Sequence, residues 1–421
     1  MDNTVRKRKA VAAILVLSIL EDDEDIKKRR GNTRGWIKRR NERGFFCNLW
    51  KELSLEDTET FKRMMRMSHQ TFTKLLNLVE EDITPNERPS GTRPIPAAER
   101  LTILIRYLAT GMTFADLSYE FRVSERAVSY IISEVAHAII KNLGDTYVRP
   151  PLSETEWKNV ATEFNGRWNF PHCIGAIDGK HVVIEPPPNT GSEYHNYKKS
   201  FSIILLAIVG PDYECIFADV GSNGRMNDSG VWNTSDMKKR IEEKRMNIPK
   251  DAPLQEGCVN VPYTFVGDDA FALKTYMMKP YAQKKLDDKK SIFNYRLSRA
   301  RRISENFFGI LVNRFRIFRQ PINVGQSKAK LIVLSAIALH NFLRKGESRY
   351  IYSPTTYVDS PLANGEVIDG TWRKEPMANN MFPLEPSKDN NPTLSAKTVR
   401  DIFAEHFFSD AGSVSWQWNR I

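Results

Sequence analysis

The sequence predicts an α/β core preceded by an all-α region that contains a helix-turn-helix, and three observations carry that prediction. Apolar positions recur at three- and four-residue steps through residues 46–83 and again from about residue 97 to 140. From Trp168 onward the rhythm changes to short apolar runs of strand type, and after residue 290 long helical patterns return. Helices before, strands between and helices behind read as a mixed sheet with helices packed on it.

The first 45 residues read as a basic arm. Residues 1–44 hold thirteen Lys/Arg against seven Asp/Glu, out of a whole-chain net charge of +11 over 421 residues. Such a chain suits polyanionic partners. Arg6-Lys7-Arg8-Lys9 followed by the apolar run Ala10–Leu20 has the outline of a signal peptide, but that run is shorter than the roughly 20 residues a membrane span needs. An acidic stretch and then Lys27-Lys28-Arg29-Arg30 follow it in place of a small-residue cleavage site. The two basic clusters therefore point to nuclear import or to nucleic-acid contact, with the nucleus as the expected location beside a cytoplasmic pool, and no membrane partner is expected. Cys47, Cys173, Cys215 and Cys258 form no CxxC pair, which fits a reducing compartment.

In residues 46–145, Phe61, Met64, Met65, Phe72, Leu75, Leu76 and Val79 form a helical stripe of core type, and the Pro-rich "ITPNERPSGTRPIP" breaks it from a second block. That block reads as helix, helix, tight turn, helix over about 97–140. Thr113 and Asp116 form a capping box, Phe121-Arg122-Val123 makes the connection and Ser124 caps the last helix. The layout buries Ala127, Val128, Ile131, Ile132 and Val135. It turns Glu125, Arg126, Ser129 and Tyr130 toward a DNA major groove, with double-stranded DNA as the partner. A plain helical bundle explains the same pattern.

Residues 146–345 carry the chemistry. In "CIGAIDGKHVVIEP" an aspartate, Asp178, sits inside an apolar strand, where an ionised carboxylate requires a cation, a metal or hydrogen-bond donors. "FSIILLAIVG" and "CIFADVG" read as a hairpin, Asn227-Asp228-Ser229 as the opening of a helix with Asp228 as its cap, and "YTFVGDDAFAL" as a fourth strand ending in two aspartates. If that strand lies parallel beside the first, at about 4.8 Å, Asp178 and Asp268 face each other, and oxygen ligands of this kind suit Mg²⁺ or Mn²⁺. Glu305, on a following helix with the buried stripe Leu297, Ile303, Phe307, Leu311 and Phe315, is the third acid. Its plain alternative is an exposed ion pair with Arg301, four residues earlier. Asp269 competes with Asp268 for the second position. Lys198, Lys199, Arg296, Arg299, Arg301 and Arg302 are candidates for holding a phosphate backbone. Residues 346–421 read as a low-complexity tail closed by one amphipathic helix.

The segments "CIGAIDGKHV", "YKKSFSIILLAIV", "DVGSNGRMNDSGVW", "VGDDAFAL", "LSRARRISENFFGIL" and "ALHNFL" closely resemble PIF/Harbinger transposases and the nucleases derived from them, over roughly residues 100–345. The resemblance implies an RNase H-like DDE nuclease core with Asp178, Asp268 and Glu305 as catalytic, metal-holding acids. It also implies phosphodiester cleavage by two divalent metals, Mg²⁺ or Mn²⁺. A homo-oligomer and a separate DNA-binding protein partner are compatible with that expectation. So is a host-adapted DNA-binding or chromatin protein that keeps the fold without turnover.

Overall fold

The computed structural model describes residues 33–84, 94–284, 286–362, 364–375, 380–384 and 392–420. The two basic clusters and the apolar run before residue 33, and most of the Pro-rich break, lie outside the described residues.

The first helical block contains three helices, α1 (Leu49–Leu55), α2 (Thr58–Met65) and α3 (His69–Ile83). Asp57 and Ser68 restart the chain, accepting the N–H groups of Thr60 and Thr71 at 2.9 and 3.1 Å. Arg66, in the left-handed region at φ 64°, ends α2. The second block forms α4 (Ala97–Thr110), α5 (Phe114–Phe121) and α6 (Glu125–Tyr147). The Thr113–Asp116 capping box is formed in both directions, Arg122 makes the turn in the left-handed region, and Ser124 caps α6. Val128, Ile131, Ile132 and Val135 are buried as expected, while Ala127 is only half-buried. A further helix, α7 (Glu154–Trp168), leads into the sheet.

The sheet has β1 (Cys173–Val183), β2 (Ser202–Val209), β3 (Cys215–Asn223), β4 (Thr264–Val266) and β5 (Met277–Met278) in the order β3-β2-β1-β4-β5. β1, β2 and β3 are antiparallel, while β4 runs parallel to β1. The fourth strand is shorter than the sequence suggests, and both aspartates fall just past its end. A short strand from the tail, β6 (Met381–Pro383), pairs with the second half of β1.

β2 is buried at every position, because both faces of the sheet are covered. Ile203, Leu205, Ala207 and Val209 join one apolar cluster and Ile204, Leu206 and Ile208 the other. The second cluster packs on α7 and on α8 (Asp228–Thr234) and α9 (Asp236–Glu242) through Trp157, Val231, Trp232 and Met237. Asn227, not Asp228, caps α8, accepting the Gly230 N–H at 2.8 Å. The first cluster runs from Phe45 in the helical region to Phe407 in the tail. It joins both to α10 (Asp288–Arg314), α11 (Gln326–Lys345) and the terminal helix α12 (Leu394–Phe408).

Candidate active site

β1 and β4 set the site by register. Ala176 pairs with Val266 across the parallel ladder, so Asp178 and Asp268 each stand two residues further along, at matching heights on neighbouring chains. Asp178 is buried; its Oδ1 accepts the Gly179 N–H at 2.9 Å and its Oδ2 lies 2.7 Å from Lys180 Nζ. Asp178 and Lys180 share one sheet face by the two-residue period of the strand. Asp268 Oδ1 accepts the Ala270 N–H at 2.9 Å, and Arg301 Nη2 lies 3.9 Å from its other oxygen. Burial and then the charge of Asp178 raise the Asp268 carboxyl above the usual range, against the pull of Arg301 and Lys180. Asp269 is turned outward and pairs with Lys279 at 3.0 Å.

Glu305 lies on the face of α10 that covers this pair. Arg301, one turn before it, reaches Asp268, and Phe308, three residues after it, carries Lys180 Nζ 5.3 Å above its ring. The partner of the Glu305 carboxylate is not Arg301, as its spacing suggests, but Arg373 from the tail, whose Nη2 donates to Oε2 at 3.0 Å. Arg373 is itself anchored on Asp359, whose side chain is fully buried. Arg373 Nη2 to Asp359 is 2.6 Å, and Arg302 and the Gly370 N–H also donate to that carboxylate. Trp372 fastens the same strap to α10: its indole N–H donates to Asn306 Oδ1 at 2.8 Å, and the ring lies over Gly309, where a Cβ would come within 2.3 Å of it. Asp178 and Asp268 are therefore brought together, and Glu305 is held beside them by a different cation. Among the described residues no three His, Cys, Asp or Glu side chains converge into a ready metal-holding group.

The comparisons with known proteins bear on this arrangement. Residues 177–341 match the family described as DDE superfamily endonuclease. Residues 177–341 are thus similar to DDE domains of the Harbinger type. Among similar proteins are an ALP1-like protein of Arabidopsis thaliana, 26% identical over 73% of this chain and 74% of its own length, and the Arabidopsis protein named antagonist of like heterochromatin protein 1, 23% identical over 70% and 78%. HARBI1 of Rattus norvegicus, a protein named as a nuclease, is 22% identical over 59% of this chain and 68% of its own. No solved structure matches.

The matched segment contains Asp178, Asp268 and Glu305, whereas Arg373 and Asp359 lie beyond it. Neither Lys180 nor Arg373 stands out in the sequence as part of the site. The two-residue period from Asp178 was the available signal for Lys180, and nothing local points to Arg373, 68 residues away from Glu305. Of the cationic candidates, Lys198 and Lys199 are exposed in the loop before β2, which Asn196 holds through the N–H groups of Lys198 and Ser200. Arg299 and Arg296 correct the sequence expectation. Both are buried: Arg299 donates to the Gly365 carbonyl over the Trp416 ring, and Arg296 donates to the Asn169 carbonyl, so each guanidinium faces protein rather than solvent. Arg302 is committed to Asp359 and Asp369. On α6, Glu125, Arg126 and Tyr130 are exposed, with Arg126 5.7 Å from the Tyr130 ring, whereas the Ser129 hydroxyl accepts from Lys328 of α11 at 2.6 Å. Among the described residues no helix is long and apolar enough to cross a membrane.

Proposed function

We propose that the chain is a metal-dependent DNA endonuclease of transposase type, with Asp178, Asp268 and Glu305 as its catalytic and metal-holding acids. The observation that carries this reading is the closeness of Asp178, on β1, and Asp268, two residues past the end of the adjacent parallel strand β4, where burial and then the charge of Asp178 raise the Asp268 carboxyl. Such a pair is costly without a cation between its members. In this structure the ammonium of Lys180 meets Asp178, and the donor set, carboxylate oxygen throughout, fits Mg²⁺ or Mn²⁺. Asp178 and Asp268 would hold one ion, and Glu305 would join Asp178 on a second. Asp268 is favoured over Asp269 because the latter points outward to Lys279.

Bound metal would supply charge neutralisation at the scissile phosphate and a nucleophile at neutral pH. The chain's own contribution is to hold Asp178 on β1, Asp268 just past β4 and Glu305 on α10, and to keep Asp178 buried in the sheet, with the Phe308 ring covering the Lys180 ammonium beside it. Arg301 stands at the pair as a donor to a phosphate oxygen. The strand order, three antiparallel strands followed by parallel ones, supports an RNase H-like fold. The capped α5-turn-α6 arrangement supports a helix-turn-helix that docks duplex DNA through Arg126 and Tyr130, and the composition supports a nuclear location.

One observation favours a second reading, a DNA-binding or chromatin protein without turnover: Lys180 and Arg373 already neutralise Asp178 and Glu305. Nicking of supercoiled DNA by the purified chain, with and without Mn²⁺, separates the two. The nuclease reading expects metal-dependent nicks that Asp178→Asn abolishes, together with weaker Mn²⁺ binding in calorimetry. A folded wild type that binds DNA and Mn²⁺ yet leaves the plasmid intact would support the second reading.

A further inference from the structure

Away from the DDE acids, a cavity of about 340 Å³ opens where the end of α2, the end of α10 and the helical turn Arg349–Tyr352 meet. Lys62, Arg63, Arg66 and Arg314 line it, against one acid, Glu59, which is already paired with Lys62 at 2.7 Å. Three guanidinium groups are left without a carboxylate in the cavity. Arg66 is fixed from all sides by backbone: Nε donates to the Arg314 carbonyl at 3.2 Å, Nη1 to the Arg63 carbonyl at 2.6 Å and Nη2 to the Ala109 carbonyl at 3.4 Å. Arg314 lies with its guanidinium 4.1 Å from the Tyr357 ring centre, and its Nε is buried without a hydrogen-bond partner. Among the described residues, the Arg63 guanidinium donates to the Thr60 hydroxyl at 3.3 Å.

A solvated basic surface does not look like this. Arginines on such a surface separate and stay hydrated, whereas here burial and then the neighbouring charges of Arg314 and Arg316 pull the Arg66 guanidinium down to about 10. An anion seated among the three guanidiniums would offset their mutual repulsion. Planar guanidiniums held in place favour a tetrahedral oxyanion with several acceptor oxygens, and the volume lies in the range of small-ligand pockets, roughly 300–1,000 Å³.

We propose that Arg63, Arg66 and Arg314 form a phosphate-binding site, separate from the DDE acids and independent of whether they turn over. The phosphates come either from a DNA backbone or from a free polyphosphate. The test titrates inorganic tripolyphosphate into the full chain by calorimetry at low salt, with sodium chloride of equal ionic strength as control. Saturable binding is expected, weakened about tenfold or more by Arg63→Gln, which removes one charge-assisted contact from an exposed position that the fold does not need. Arg314→Gln should weaken it similarly, with melting curves verifying that both variants are folded. If a short DNA duplex displaces tripolyphosphate and Arg63→Gln also weakens duplex binding, the site takes backbone phosphates. If the duplex leaves tripolyphosphate bound, the ligand is a free polyphosphate. Heat no greater than the salt control, or equal affinity for wild type and folded Arg63→Gln, overturns the site.

Discussion

The Arg373 guanidinium lies 3.0 Å from Glu305 and 2.6 Å from Asp359, so one cation ties a partly exposed acid of α10 to a fully buried carboxylate in the tail. Asp359 accepts from both Nε and Nη2 of Arg373, and Arg373 donates to one oxygen of Glu305, Oε2. That geometry orients the carboxylate and leaves Oε1 outside the Arg373 contact, where the proposed metal would meet it. Arg373→Gln should therefore have two separable effects. Asp359 loses its main partner, and stability should fall by about 3 kcal/mol, read by denaturant melts. Mn²⁺ affinity, measured by calorimetry below the melting range, should fall as well, and Arg373→Lys should recover part of both. Unchanged Mn²⁺ affinity in folded Arg373→Gln would confine Arg373 to a structural role.

Glu305→Gln keeps the size and hydrogen bonding of the side chain and removes its charge. If Glu305 holds metal, nicking should drop by at least about a hundredfold, a loss of roughly 3 kcal/mol of transition-state stabilisation. As a partly exposed ion pair alone it would be worth at most about 1 kcal/mol to folding, and nicking would scarcely change. Initial rates of plasmid nicking for wild type and Glu305→Gln at one Mn²⁺ concentration distinguish these.

Arg126 stands exposed at the start of α6 beside Tyr130. Its replacement by Ala should weaken duplex binding and reduce the slope of log affinity against log salt by about 1, as for one lost phosphate contact. Fluorescence anisotropy at several salt concentrations reads both quantities. An unaltered slope would move the DNA contact elsewhere.

Glu99 of α4 is buried, with Oε1 unpartnered and Arg40 Nε 3.8 Å from Oε2. Burial raises its carboxyl from 4.5 to about 7, with Arg40 opposing. The folded chain thus holds a proton that the unfolded chain releases. The associated stability is complete below about pH 4.5 and is lost as pH rises through about 7, by up to about 3 kcal/mol. Glu99→Gln should flatten stability against pH over that window. It leaves the share owed to Glu214, which burial likewise raises to about 7. Urea melts at several pH values give the slope; an unchanged slope in the variant would show that Glu99 ionises normally.

The sequence by itself determined many of the elements, because caps, turns and apolar periods are local. Thr113 with Asp116, the strand around Asp178, the β2–β3 hairpin and the long helix bearing Glu305 all follow from residues within a few positions of one another. It also marked Asp178, since a charge in an apolar strand needs a partner wherever the strand ends up. Only the tertiary structure decided which partner. The chain leaving β4 brought Asp268 close to Asp178 and turned Asp269 outward to Lys279, and the return of the tail over α10 gave Glu305 to Arg373 in place of nearby Arg301. Burial likewise turned Arg296 and Arg299 from candidate DNA contacts into internal donors, and packing on α11 engaged Ser129. Arg66 and Arg314 met in the same way, 248 positions apart. The physical reason is common to these cases: a side chain's helix or strand is chosen by its neighbours in sequence, but its charge is satisfied by whatever group the folded chain brings within a few ångströms.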